Sequence, residues 1–445
     1  MPETSRLVRP EDSAPTISVI SPPMIMLIAY HVLSISQDRD VVVTMSKCTT
    51  SGVLKTLPLP ARHVTWPRAC TPRESHAASS ARRKAPMAKQ IGYAVVGLGA
   101  LARQFVLPAF ARTTEHSRLA AVISGDRAKA QAVAQQFRAA PYHYDELRQC
   151  LQREDVNALY ITLPNSLHCD YAVEAARAGV HVLCEPPMAV TADECRRMIR
   201  TCQTNRVKLM IAYRLQFRPA MQKAIELVNG GNVGMPKTFS SDFTCRLEDP
   251  DSTWLQRRLG GGTVYHLGVH AINAARTFLG AEPAQVMAMT ARTGRRYGGD
   301  VDEGAVGLIR FPDERLAHLH TSFGEEAAAH FTLYGEDGWL AVSDAYTPDA
   351  PARIVLVRRG AREVIDVAPG AEFAAVLAHF SAAGRDDRQP EPSGVEGLQD
   401  TRLVEAIYRS ARDGRPVTLP RLARVETPSG AEPDRRAAGD RRQAG

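Results

Sequence analysis

Three groups of residues in this chain have the types and spacing that chemistry requires. The first is the run Val95-Val96-Gly97-Leu98-Gly99-Ala100-Leu101-Ala102. Two glycines one residue apart at a strand-to-helix turn, with a small residue three further on, form the pattern that receives a dinucleotide. Gly97 would make the tight turn, Gly99 would let the backbone approach a pyrophosphate, and Ala102 would let helix and strand pack closely. Leu98, Ala100 and Leu101 complete that loop. The second group is Ser124-Gly125-Asp126-Arg127, with Lys129 close behind, at the end of the next strand. An acid there would accept hydrogen bonds from the ribose hydroxyls of NAD(H). A small hydroxyl followed by two cations suits a 2′-phosphate instead, so the expected cofactor is NADP(H) in preference to NAD(H). Asp126 runs against that expectation, and its position also suits a helix N-cap. On the plainer reading Arg127 and Lys129 only solvate a helix face. The third group is His266 and His270, in "GGGTVYHLGVHAIN". Oxidising a carbinol needs a base for the hydroxyl proton while hydride leaves, and an imidazole can serve. Four residues apart, the two rings would share one face of a helix and could form one relay. Tyr213 and Arg214 in "AYRLQFRP" could orient a polyol or a carboxylate, or be packed, hydrogen-bonded residues with no ligand.

The elements that would position these groups alternate from Ile91 onward. "IGYAVVG" predicts a strand, "ALARQFVLPAFARTT" a helix kinked or restarted at Pro108, then "RLAAVIS", "DRAKAQAVAQQFRA", "VNALYITLP", "HCDYAVEAARAG", "VHVLCE", "TADECRRMIRTCQTN" and "VKLMIAY" continue the alternation. Strands apolar on both faces belong in a parallel sheet covered by helices on both sides. Gly179 is the expected C-cap of one helix and Thr191 the N-cap of the next. Beyond Tyr213 one helix, "PAMQKAIELVNGG", precedes mostly strand-like pieces, with "GEDGW" as a hairpin turn and "GLQDTRLVEAIYRSARDG" as a last helix. The fold class is therefore α/β: a Rossmann dinucleotide-binding domain over 87–213, then an α+β substrate and oligomerisation domain over 214–420 with a mostly antiparallel open sheet. Residues 1–86 are expected to be a disordered or non-native extension and 421–445 a disordered tail.

Charge supports that division. The net +7 comes from the ends: residues 1–86 hold eleven Lys/Arg against six Asp/Glu, and 421–445 hold six against four. The region between is balanced, so no nucleic-acid partner is expected. Eight cysteines without CxxC or Cys/His ligand spacing point to a reducing, cytoplasmic setting and no metal. Pro22 and Pro23 break the most apolar stretch, Thr16 to Ser36, so no membrane association is expected. The twin arginine in "ARRKAP" has no dispensable apolar segment after it, because the next apolar run is the first strand.

The motifs "YAVVGLG", "LPNSLH" (163–168), "HVLCEPPMA" (181–189), "LMIAYRLQFRP" (209–219), "GGGTVYHLGVHAIN" (260–273) and "GLQDTRLVEAIY" follow one another as they do in the Gfo/Idh/MocA family. The resemblance covers Gln90 to Pro420 and is nearest to the glucose–fructose oxidoreductase branch. It implies a Rossmann domain that holds NADP(H), a second domain whose sheet covers the nicotinamide, a sugar or polyol substrate, and homo-oligomers built through that sheet. It places Leu163, Pro164, Asn165 and His168 beside the nicotinamide, and matches Glu185 and Pro187 to the acid and proline of an EKP motif whose proline often follows a cis peptide. The family's catalytic lysine falls on Pro186 and is absent. Its usual aspartate falls on His266, and His270 takes the place of its acid/base histidine or tyrosine. The expected activity is NADP(H)-dependent hydride transfer to or from a hydroxy or carbonyl compound. The alternative is an inactive NADP(H)-binding sensor or partner protein that has lost the lysine, and a third reading is a lyase-like reaction with transient use of the nucleotide.

Overall fold

The computed structural model describes residues 90–420 apart from 293, 295 and 296. The expectations for 1–86 and 421–445 lie outside the described residues. Six parallel strands, β1 (Ile91–Val96), β2 (Ser117–Ser124), β3 (Ala140–His143), β4 (Ala158–Ile161), β5 (His181–Cys184) and β6 (Leu209–Ile211), form the first sheet in the order β3-β2-β1-β4-β5-β6. This is the doubly wound order, in which the strand sequence reverses between β1 and β4 and leaves a crevice at the carboxyl edge. Every residue of β1 is buried, as a strand covered on both faces requires. One face packs on the helices His168–Arg177 and Ala192–Thr204, the other on the segment after β1 and on a helix from much later in the chain, Glu372–Arg385. That late helix, together with edge strand β3, was not anticipated from the sequence. It carries Phe373, Val376, Leu377 and Phe380 into the core under β1, where Ser381 Oγ lies 2.7 Å from the Tyr93 hydroxyl. The chain therefore returns, after the strands of the second lobe, to complete the first.

Local signals act as their chemistry dictates. Thr191 accepts from the Glu194 N–H while the Glu194 carboxylate accepts from the Thr191 N–H, a capping box. Asp126 caps the helix Arg127–Phe137 by accepting from the Lys129 N–H at 3.0 Å. The expected kink at Pro108 is preceded by a π-helical turn over Ala102–Val106, one residue of slack ahead of a proline that has no N–H to give.

The second sheet has nine strands: β7 (Pro236–Thr244), β8 (Gln285–Ala291), β9 (Gly304–Arg310), β10 (Leu316–Ser322), β11 (Ala328–Gly335), β12 (Gly338–Ser343), β13 (Ala352–Arg358), β14 (Ala361–Val367) and β15 (Val417–Thr418). Their order is β14-β13-β12-β11-β7-β10-β9-β8-β15, antiparallel except where β10 meets β7. The helices Pro219–Asn229 and Val269–Leu279 cover one face. The other face is open, and one row across it reads Met289, Val306, His320, Asp242, His330.

The helix Gly394–Asp413 joins the two lobes. An added Cβ would come within 2.8 Å of Leu209 at Gly394 and of Ile211 and Met188 at Gly397, so the first turns lie flush on the Rossmann core. Its later residues Leu403, Val404 and Ile407 enter the second core. Between these halves sits Asp400, fully buried, accepting from Arg276 Nη1 at 2.7 Å and Asn273 Nδ2 at 2.9 Å. Replacing Asp400 by Ala would leave the Arg276 guanidinium short of its most buried partner. The expected loss is about 3 kcal/mol, read as a lowered denaturant midpoint, with both lobes unfolding together.

Candidate active site

The turn after β1 separates two roles for glycine. Gly97 has φ +95°, and a Cβ there would meet the Thr162 carbonyl oxygen at 2.7 Å. Thr162 Oγ1 also donates to the Gly97 carbonyl at 2.6 Å, so the residue that follows β4 holds this turn shut. Gly99 is exposed, and a Cβ there would meet nothing within 4 Å. The protein itself requires the first glycine; only something outside the chain requires the second. Open space over backbone N–H groups at a helix start is what a diphosphate occupies, so the residues present fit a dinucleotide. Leu98 is buried beneath the turn, Ala100 is exposed at its rim, Leu101 is half-buried, and Ala102 is fully buried.

At the end of β2, Ser124 Oγ accepts from the Asp126 N–H at 3.2 Å, and Gly125 lies so close to the Tyr144 ring that a Cβ would sit 2.7 Å from it. Asp126 gives one carboxylate oxygen to its cap. Arg127 is exposed and ion-paired with Asp145 at 3.3 Å and Glu146 at 3.1 Å, while Lys129 is exposed. Surface pairs of this kind are weak and exchange readily for a stronger anion. His143 stands beside them, its Nε2 3.0 Å from the Gly125 carbonyl and its Nδ1 2.6 Å from Asp145. His143 and Tyr144 escaped the sequence reading because Pro141 disguises β3, a strand tolerant of proline because it lies at the sheet edge.

Across the switch point the loop 163–168 is fixed rather than free. Leu163 is buried and Pro164 half-buried. Asn165 is buried and donates to the Gly260 carbonyl at 2.8 Å, tying the Rossmann loop to the second lobe. His168 is fully buried with its ring nitrogens 3.0 Å from the Pro187 carbonyl and 2.8 Å from the Leu163 carbonyl. It staples the turn after β5 to the loop after β4, with a carbonyl at each ring nitrogen. The peptide between Pro186 and Pro187 is cis, as the resemblance implied. Glu185, half-buried at the end of β5, accepts from the Tyr160 hydroxyl at 2.5 Å. Burial pushes its carboxyl up to about 7, against the Tyr160 hydrogen bond and the Arg214 charge, which both pull it down.

The second lobe brings the two histidines to the same region. His266 lies in a π-helical turn, Val264–Gly268, that runs directly into the helix Val269–Leu279 carrying His270, so the expected helical spacing is met. Asp302 holds the start of this segment, accepting from the Thr263 N–H at 2.9 Å and the Tyr408 hydroxyl at 2.8 Å. Trp254 stacks on His266 with ring centroids 4.6 Å apart, and Phe243 lies 6.2 Å from His270. His266 Nε2 and His270 Nδ1 are sealed from water and have no hydrogen-bond partner among the described residues. Burial pushes both rings down to about 3; the His168 ring adds to this for His266, and the Arg214 charge and His266 for His270. Both are therefore neutral imidazoles at physiological pH.

Tyr213 and Arg214 do not present themselves as expected. Tyr213 is fully buried, its hydroxyl near Asp400 but, like the two histidine nitrogens, without a hydrogen-bond partner among the described residues. Arg214 is buried too, donating to Glu372 at 3.1 Å and to the Tyr346 carbonyl at 2.6 Å, with its cation 5.8 Å from the Phe373 ring centre. It is an anchor whose charge reaches both Glu185 and His270. The turn after β6 therefore supplies a field where the sequence reading expected a substrate clamp.

The glycine contrast is testable by a pair of substitutions. Gly97→Ala should cost about 1–3 kcal/mol of stability through its positive φ and the Thr162 contact. Gly99→Val should leave the melting temperature within about 2 °C and abolish binding of a nicotinamide nucleotide, measured by calorimetry.

Comparison with known proteins agrees with this architecture. Residues 91–213 match the description "oxidoreductase family, NAD-binding Rossmann fold", and residues 221–341 match the Gfo/Idh/MocA C-terminal domain. A D-xylose 1-dehydrogenase (NADP(+)) of Haloferax volcanii is 32% identical over 330 residues, 74% of this chain and 99% of the relative. A dTDP-3,4-didehydro-2,6-dideoxy-alpha-D-glucose 3-reductase of Streptomyces violaceoruber is 32% identical, covering 71% of this chain and 94% of the relative. The crystal structure of an aldose-aldose oxidoreductase from Caulobacter crescentus, complexed with glycerol, superposes with a TM-score of 0.71 at 35% identity over 74% of this chain and all of that one. With a dinucleotide cradle at the switch point, a second lobe of the matching kind and relatives that are similar over nearly their whole length, the chain belongs to the Gfo/Idh/MocA family of oxidoreductases.

Proposed function

We propose that this protein is an NADP(H)-dependent oxidoreductase acting on a hydroxyl or carbonyl carbon of a sugar or related polyol, with His270 as the acid/base group and His266 as its helper. The observation that carries this reading is the pair of buried, unpartnered ring nitrogens, His266 Nε2 and His270 Nδ1, on one continuous helical segment. A buried polar nitrogen without a partner costs stability, and a substrate hydroxyl would repay it. The nicotinamide, when bound, supplies the hydride acceptor or donor. His270 would meet the substrate hydroxyl and take its proton during oxidation or return it during reduction. Trp254, stacked on His266, would hold that ring in place and exclude water. Ser124 and Arg127 support the 2′-phosphate, with Asp145 and Glu146 exchanging Arg127 to it. The NADP(+)-dependent xylose dehydrogenase among the relatives supports the same choice of nucleotide and a sugar substrate.

We also infer a homo-oligomer through the open sheet face, where Met287, Met289, Val306, Leu308 and Leu316 are exposed on adjacent strands. A contiguous apolar patch of this kind is an association surface.

Replacing His270 by Ala should lower turnover on the best aldose or polyol of a panel at least about 100-fold, with NADPH affinity unchanged by fluorescence titration. In the wild-type protein the same titration should favour NADPH over NADH by about tenfold or more. Full turnover in the Ala variant would remove His270 from the chemistry. Leu308→Glu should convert the oligomer to a smaller species in sedimentation velocity without loss of helical signal.

A further inference from the structure

The two histidines depend on a turn that a helix does not adopt unaided. Val264–Gly268 is π-helical and runs into the α-helix Val269–Leu279, so its hydrogen-bonded ring is one residue wider than the ring that follows. If it relaxed to α-helical winding, one residue would leave the turn. At 3.6 residues per turn that rotates whatever precedes it by about 100°, and His266 would leave the side of the helix on which His270 stands. Such a turn needs support from outside itself.

Contacts with both lobes supply that support. On the histidines' own lobe, Asp302 Oδ2 accepts from the Thr263 N–H at 2.9 Å, the Thr263 hydroxyl at 2.6 Å and the Val264 N–H at 3.3 Å, while Oδ1 accepts from the Tyr408 hydroxyl at 2.8 Å. Gly262, at φ +125°, lies so flat on this pair that an added Cβ would stand 2.3 Å from Asp302 Oδ1 and 2.4 Å from the Tyr408 oxygen. On the nucleotide lobe, Gly260 is wedged between two residues: a Cβ there would meet Val190 Cγ2 at 2.7 Å and Asn165 Cβ at 2.9 Å. Further along the same segment, the Tyr265 hydroxyl donates to the Val190 carbonyl at 2.9 Å. Val190 closes the turn after β5, the one that holds the cis peptide between Pro186 and Pro187, and precedes the helix cap Thr191. The Tyr265 ring lies against the Tyr408 ring with centroids 5.2 Å apart, so the last helix, which joins both lobes, also directs this hydroxyl.

We propose that Tyr265 is a positioning residue of the reaction: its hydrogen bond to the Val190 carbonyl latches the turn carrying His266, and with it His270, onto the nucleotide lobe. This rests on the oxidoreductase reading above. Tyr265 acts through the backbone it shares with His266. The Asn165 bond to the Gly260 carbonyl ties down the approach to the turn, and the Tyr265 bond ties down the turn itself. Misplacing a catalytic group by about 1 Å can cost about a hundredfold in rate, so a tie at the residue next to His266 acts where control of that distance has most effect.

The test uses the full chain with Tyr265→Phe, which keeps the ring and its packing on Tyr408 and removes one oxygen. With NADP(+) bound and an aldose or polyol that the wild type oxidises, stopped-flow absorbance over a single turnover separates two effects. A displaced base lowers the rate constant of hydride transfer, whereas a smaller folded fraction lowers its amplitude. The rate constant should fall about tenfold or more at unchanged amplitude, with NADPH affinity within about twofold of the wild type. A second readout needs neither nucleotide nor turnover: hydrogen exchange of the amides over 262–268 should quicken about fivefold in Tyr265→Phe, while exchange over β1 stays as it was. An unchanged rate constant overturns the positioning role, whatever the exchange shows. A slower rate with unchanged exchange also overturns it, since the loss would not pass through the turn. Loss of amplitude alone does the same, being the mark of a purely structural residue. If the wild type turns over no aldose or polyol, the oxidoreductase reading falls first, and the exchange still decides whether Tyr265 holds the turn.

Discussion

The Asp400–Arg276 contact is what lets two separately cored lobes behave as one site. Nucleotide would lie on the first lobe and both histidines stand on the second, so catalysis depends on their relative placement to within a fraction of an ångström. The last long helix sets that placement. Its glycines sink onto the Rossmann core at Leu209 and Ile211, Leu403, Val404 and Ile407 enter the second core, and the buried carboxylate between them grips the helix that begins at His270's own turn. A charge pair buried at a seam contributes little net stability against apolar packing, but it tolerates only one register. Tyr213 and Asn273 lie against the same carboxylate and belong to the joint.

The cleft itself is governed by one fixed positive charge. Arg214 is buried because Glu372 and the Tyr346 carbonyl satisfy it, and Phe373 covers its face. Its field has opposite consequences for its neighbours: it discourages protons on His270 and favours the ionised form of Glu185. Burial works with it at the imidazole and against it at the carboxyl. The result is a neutral base on the second lobe and a carboxyl near neutrality at the sheet edge, two groups kept apart in proton affinity by their surroundings.

Much of this was legible in the chain, and the gaps have physical causes. The glycine turn, the alternation of strands and helices, the Asp126 and Thr191 caps and the helical spacing of the histidines all rest on short-range rules, and each appears as those rules require. Edge strand β3 was hidden by Pro141, β14 by its alternating charges, and the helix Glu372–Arg385 by distance, since nothing local reports that a segment so late packs beneath β1. The buried partners of Tyr213 and Arg214 were not legible, because a polar pair after a strand reads the same whether it faces a sugar or buried carboxylates elsewhere in the fold. Tyr160 and Glu185 are 25 residues apart and meet only through the register of β4 beside β5.

The two glycines of the first turn carry a record of use. Gly97 would be kept by any chain that still folds this way, because the Thr162 carbonyl stands where a side chain would go. Gly99 has no such protection: a larger residue there meets only open space, and a fold that had abandoned its ligand would be free to accept one. A chain drifting away from its cofactor would therefore erode at the second glycine while the first stayed put. This one carries a proline at position 186 and still carries Gly99, the position whose only tenant is a molecule that comes and goes.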